Sequence, residues 1–139
     1  MHITLLVSGK LKDPALKRLY DEYKKRLDWK VDLREVDEKN LEEALPSSSF
    51  LITLDERGEN LKSEDFATLL NEIQLHHQGK ATFVIGGADG LSHAIKAKAH
   101  KSLSFGRLTW PHLLVRIMLM EQIYRAQQIL KQHPYHRGG

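Results

Sequence analysis

The spacing of apolar positions along the chain changes several times, and each change predicts an element. Residues 2–8 alternate loosely and are rich in Ile, Leu and Val, which predicts a first strand. Asp13-Pro14 reads as a helix start, with Asp13 as N-cap and Pro14 at the first helical position. Leu16, Leu19, Tyr20, Tyr23 and Leu27 then recur at helical spacing. Residues 30–36 alternate strictly, as a half-exposed edge strand does, and 40–45 read as a short helix ended by Pro46. Residues 50–54 predict a buried strand and 55–58 a turn. Ser63 is expected to cap a second helix, with Glu64 and Asp65 in its first turn and Phe66, Leu69, Leu70 and Ile73 as its apolar stripe. Gly79 ends that helix. A fully apolar strand over 81–87 runs into glycines, 94–100 predicts a short helix and 102–109 a last strand. Pro111 opens a final helix reaching about Gln132. Strands alternating with helices predict an α/β fold around a parallel sheet.

Composition narrows the class. A chain of 139 residues with 41% apolar and 28% charged residues fits one globular domain, without linkers, repeats or low-complexity tracts. The absence of cysteine excludes disulfide scaffolds, zinc–cysteine sites and cysteine nucleophiles. No apolar run approaches the ~18 residues of a membrane helix, and the first residues read as a strand, not a signal peptide. A soluble cytoplasmic protein is the expectation. The net charge of +3 is unevenly placed: residues 81–139 hold eight basic and two acidic residues, a local +6, with five of the eight histidines. Such a segment predicts either a polyanion-binding face or a solvated basic surface.

Ligands in parallel α/β sheets sit beyond the carboxyl ends of the strands, and three loops occupy that place: 54–58, 86–90 and 106–111. Gly86-Gly87-Ala88-Asp89-Gly90 lets backbone approach a ligand closely. Its spacing is not G-x-G-x-x-G, and no P-loop Lys-Ser/Thr follows. An adenosine-type ligand held by backbone groups and a plain tight turn at Asp89-Gly90 both fit. Thr109, Trp110 and Pro111 open a helix in which Leu113 to Met120 are apolar except Arg116. A helix apolar all round is buried on all sides, which in so small a domain predicts a partner subunit.

The tail, His133 to Arg137, packs acid–base, stacking and phosphate-binding groups into five residues. It serves a substrate, or it docks on the core through Pro134 and Tyr135. His133 and His136 lack a third metal ligand in sequence reach, so no metal is expected.

Together TLDERG (53–58), VIGGADGLS (84–92), LTWPHLLVR (108–116), EQIYRA (121–126) and HPYHR (133–137) resemble the ribosomal large subunit methyltransferase H family, of the SPOUT class, across nearly the whole chain and in the family's order. The resemblance implies one SPOUT domain over 1–139: a mostly parallel sheet, helices on both faces, and a C-terminal trefoil knot that sequence rules alone never propose. It implies transfer of a methyl group from S-adenosyl-L-methionine to N3 of a pseudouridine in the 23S rRNA of the ribosome, by a homodimer. The cofactor positions fall on Leu54, Gly86 and the run Gly106, Arg107, Leu108, Thr109, Trp110 and Pro111. Arg107 stands where family members carry small or polar residues, a change that backbone contacts tolerate.

The chemistry agrees. Methyl transfer from a sulfonium needs in-line positioning and loss of the N3 proton, without metal or covalent intermediate. A histidine is suited to take that proton, and His136 is the first candidate, with Tyr135 to orient the base and Arg137 on phosphate. The basic C-terminal segment is expected to supply the RNA surface. A rival reading, a non-catalytic RNA-binding module, has no need of three such loops at one sheet edge. An oxidoreductase would lack its glycine fingerprint.

Overall fold

Alternation along the strands divides the apolar side chains between two faces of one sheet. The computed structural model describes residues 1–137. Strands β1 (His2–Ser8), β2 (Lys30–Val36), β3 (Phe50–Glu59), β4 (Lys80–Ile85) and β5 (Lys101–Leu103) pair in the order β2-β1-β4-β3-β5, every neighbouring pair parallel. Phe83 of the central strand faces Leu5 on one side and Ile52 on the other. That row joins one core with α1 (Pro14–Arg26), α2 (Ser63–His76) and α4 (His112–Leu130). The next residues along, Leu6 and Val84, point the other way and bury with Leu51, Leu41 and Ile95 beneath α3 (His93–Lys98) and the turn at 38–45. Helices therefore cover both faces, as the alternation of elements requires. No helix among the described residues is long and apolar enough to cross a membrane.

Most predicted elements are present, and four differ; the short helix expected over 40–45 is replaced by a single 3-10 turn, Glu38–Asn40, followed by turns. Asp55 to Gly58 is not a turn: β3 continues through it to Glu59, and the pairing with Leu103 shifts register between Leu54 and Glu59. The polar side chains of this stretch are held by partners, Asp55 by Lys96 at 3.1 Å. A Cβ on Gly58 would lie 2.5 Å from the Leu103 carbonyl carbon, so glycine permits the approach. β5 stops at Leu103 because Ser104 Oγ donates to the Gly106 carbonyl at 2.6 Å and Gly106 turns the chain at φ +112°. At α2 the capping position falls to Lys62, and Ser63 Oγ instead donates to Gln122 on α4 at 2.8 Å.

Arg116, the one polar residue in the run Leu113 to Met120, is fully buried in α4. Its guanidinium donates to the carbonyls of Ser8 (3.2 Å) and Gly9 (3.1 Å) and to Glu35 (3.4 Å), tying α4 to the end of β1. Burial holds its pKa below the usual value, against the pull of Glu35. Leu113 and Val115 pack on the core. Leu114 and Met118, one turn apart, are half-buried, and Leu108 and Trp110 just before the helix are exposed.

Candidate active site

The carboxyl ends of β4, β3 and β5 open into a cleft of about 420 Å³, within the size range of small-molecule sites. Six of the eight cofactor positions expected from sequence line it: Leu54, Gly86, Gly106, Leu108, Thr109 and Trp110. Arg107 and Pro111 do not, and both are exposed. Ile85, Leu103 and Val115 add apolar wall.

Each loop is fixed by its own hydrogen bonds. Gly90 donates to the Gly87 carbonyl at 3.0 Å and sits at φ +77°, so 87–90 is the tight turn that the glycines allow. A Cβ on Gly86 would lie 2.7 Å from the Gly90 carbonyl oxygen. The room beside Gly86 is thus filled by the protein's own turn. The 104–111 loop is anchored by Asn60 Oδ1, which accepts from the Gly106 N–H at 3.0 Å. The Trp110 indole donates to the Phe105 carbonyl, and Thr109 Oγ1 donates to Glu56 at 2.9 Å, joining this loop to β3 across the cleft. Burial alone would raise the Asp55 carboxyl, but the Arg57 amide and the Lys96 ammonium outweigh it and hold the pKa below the ordinary value.

The cleft contains a histidine that spacing did not single out. His112, the first residue of α4, lines it, and its buried Nδ1 has no hydrogen-bond partner among the described residues. A buried polar atom without a partner is costly, and His112 carries that cost at the wall of the cleft. The signal was present in the sequence as a histidine directly after Trp110-Pro111, yet it read as an ordinary helix start.

The tail lies elsewhere. None of residues 133–137 lines the cleft, and it docks on α4 and α2 of its own chain. Arg125 grips Glu121 at 3.0 Å and lies 5.0 Å from the Tyr135 ring centroid, and Tyr135 donates to Glu121 at 2.9 Å. Burial, then the bond to Glu121, push Tyr135 up to about 12, so it is a donor at neutral pH. Arg125 also reaches His136 Nδ1 at 2.8 Å. A guanidinium only donates, so Nδ1 is the acceptor and Nε2 carries the proton given to Glu64 at 2.8 Å. That bond holds the Glu64 carboxyl below its usual pKa. Roughly 20 Å of α4 separates His112 from Arg125, at 1.5 Å per residue.

The basic C-terminal segment is largely neutralised. Six of its eight cations pair with acids: Lys96 with Asp55, Lys98 with Glu42, Lys101 with Glu59, Arg116 with Glu35, Arg125 with Glu121 and Lys131 with Asp28. Arg107 and Arg137 are left without an ion pair among the described residues. The expected polyanion-binding face is therefore not supplied by this segment's net charge.

Comparison with known proteins gives a consistent result. Residues 1–136 match the family described as "Predicted SPOUT methyltransferase". A relative from Rhodospirillum centenum is 44% identical over 99% of this chain and 100% of its own, and one from Carboxydothermus hydrogenoformans is 42% identical with the same coverage; each is named "Ribosomal RNA large subunit methyltransferase H". Among solved structures, a probable methylase family protein from Haemophilus influenzae has a similar fold, with a TM-score of 0.64 at 13% identity, over 98% of this chain and 70% of that one. The glycine turn, the cleft beyond the strand ends and a match running from the first residue into the tail lead to one assignment: the chain belongs to the SPOUT methyltransferase family.

Proposed function

We propose that this methyltransferase moves a methyl group from S-adenosyl-L-methionine to N3 of a pseudouridine in 23S rRNA, as a cytoplasmic homodimer. The observation that carries the reading is the cleft, because the stretches expected to hold the cofactor converge there from three separate loops. Its residues suit that ligand. Leu54, Ile85 and Leu103 form an apolar wall for the adenine, and Asp89 and Glu56 supply negative potential beside a sulfonium. When bound, the cofactor supplies an electrophilic methyl group. The protein's part is to hold the two reactants in line and to remove the N3 proton.

The tail is the proposed source of that second function. Within one chain it sits well away from the cleft, so it serves the cleft of a second copy. Half-buried Leu114 and Met118, with exposed Leu108 and Trp110, give an apolar surface on which that copy packs. His136 Nδ1, once released by Arg125, accepts the proton; Tyr135 orients the base and Arg137 holds phosphate. The C-terminal trefoil knot of the SPOUT class is part of the same reading.

Isothermal titration with S-adenosyl-L-methionine tests the cofactor step without RNA. The expected outcome is saturable binding near one ligand per chain. A protein that binds ribosomes but gives no heat with this ligand is instead an RNA-binding module.

A further inference from the structure

We propose that the substrate RNA leaves the cleft across the 86–90 turn and lays its phosphates on Lys10, Lys12, Lys17 and Arg18, not on the six paired cations of the C-terminal segment. The inference rests on the rRNA reading above and adds the surface that holds the strand.

Charge accounting comes first. A paired cation contributes little net field, and six of the eight in the C-terminal segment are paired. Residues 10–18 carry four cations against one acid, Asp13. All four are exposed, and none has an ion pair or side-chain hydrogen bond among the described residues. Asp13 is engaged with its own helix, accepting from the Ala15 and Leu16 amides at 2.8 and 3.3 Å. Glu35, the nearest strand carboxylate, is taken up by Arg116 and by the Leu11 amide at 2.6 Å.

Position comes second. Gly87 lines the cleft, and a Cβ there would lie 3.3 Å from Ser8 Oγ. The end of β1 thus abuts the cleft wall, and Lys10 follows two residues later at the same edge of the sheet. Gly9 donates to the Val36 carbonyl at 3.0 Å, which fixes this connection against β2. Lys12 comes just before α1, and Lys17 and Arg18 lie in its first two turns, all exposed. Glu38 abuts the same turn, its carboxylate 3.5 Å from the same Gly87 position. Lysine ammoniums act as point charges on phosphate. The track therefore holds the strand and leaves sequence choice to the cleft.

The test is the salt dependence of binding to bacterial 70S ribosomes, read as the slope of log affinity against log salt. Each phosphate contact contributes about 0.7 to 0.9 to that slope. Lys10→Ala/Lys12→Ala and Lys17→Ala/Arg18→Ala should each flatten it by about 1.4 to 1.8 while leaving S-adenosyl-L-methionine titration and melting unchanged. Lys98→Ala/Lys101→Ala should leave the slope as it is. If a double variant melts early, the single variants decide, with a flattening of about 0.7 to 0.9 each. Wild-type slopes in the 10–18 variants, or a loss confined to the Lys98/Lys101 variant, overturn the proposal while the rRNA reading stands. Absence of any ribosome binding by the wild-type protein overturns both.

Discussion

Replacing Gly86 by alanine tests how the cleft wall is built. Neither Gly86 nor Gly87 has a positive φ, so alanine is conformationally allowed at both and the effect is purely steric. At Gly86 the new methyl would lie 2.7 Å from the Gly90 carbonyl oxygen, 2.8 Å from its carbon and 3.0 Å from Leu91 Cδ2, where ordinary contact begins at 3.4 Å. The deficit of about 0.7 Å falls on backbone pinned by the Gly90–Gly87 hydrogen bond, so the turn must move as a unit. Overpacking of this kind costs about 1–3 kcal/mol. Because the 86–90 turn lines the cleft, a shift of the turn changes the shape that the cofactor meets. The strain appears as lost affinity, about 5- to 150-fold at 1.4 kcal/mol per decade. Gly87→Ala is the control, because the nearest atoms its methyl meets are side-chain oxygens of Ser8 and Glu38, at 3.3 Å and beyond, and not backbone. Titration with S-adenosyl-L-methionine, alongside melting curves, should separate the two variants. Wild-type affinity and wild-type Tm in Gly86→Ala would refute the packing argument.

Other perturbations follow from the same contacts. Arg116→Met leaves the Ser8 and Gly9 carbonyls without their donor and Glu35 without its ion partner; thermal melting should show a loss of about 3–5 kcal/mol, a drop on the order of 10 °C. His112→Phe keeps the bulk of the cleft wall and removes the buried unpaired Nδ1, so melting should show an unchanged or raised Tm. His136→Ala should depress methyl transfer while leaving cofactor titration unchanged, and turnover should recover in part as pH rises, because hydroxide then shares the proton transfer. Asp55 has a lowered folded pKa, so the stability it contributes is present above the ordinary carboxylate range and lost as pH falls through the folded value. Asp55→Asn should accordingly flatten the acid limb of a Tm-against-pH curve.

How far the sequence spoke depended on whether a feature was local. The strands β1, β2 and β4 and the start of α1 carry their own signals: alternation, a continuous apolar run, and Asp13-Pro14. Residues 55–58 did not, since a polar Asp-Glu-Arg-Gly stretch has turn composition and is held extended by Lys96, Thr109 and the backbone at Leu103, all distant in sequence. The same holds for charge. Eight basic residues in the last segment look like an anion-binding face until the fold brings Asp28, Glu35, Glu42, Asp55 and Glu59 against them. The cleft was legible as three glycine- or proline-bearing loops at one sheet edge. The docking of the tail was not, because its partners Glu64, Glu121 and Arg125 belong to two helices whose packing no spacing rule specifies.

The central claim is tested most directly by incubating the protein with bacterial ribosomes lacking this modification and S-adenosyl-L-methionine carrying an isotopic methyl label, then digesting the 23S rRNA to nucleosides for mass analysis. The account predicts label in a single nucleoside, N3-methylated pseudouridine, dependent on residues 133–137. Label in another nucleoside, or none in RNA from a protein that binds the cofactor, would contradict it.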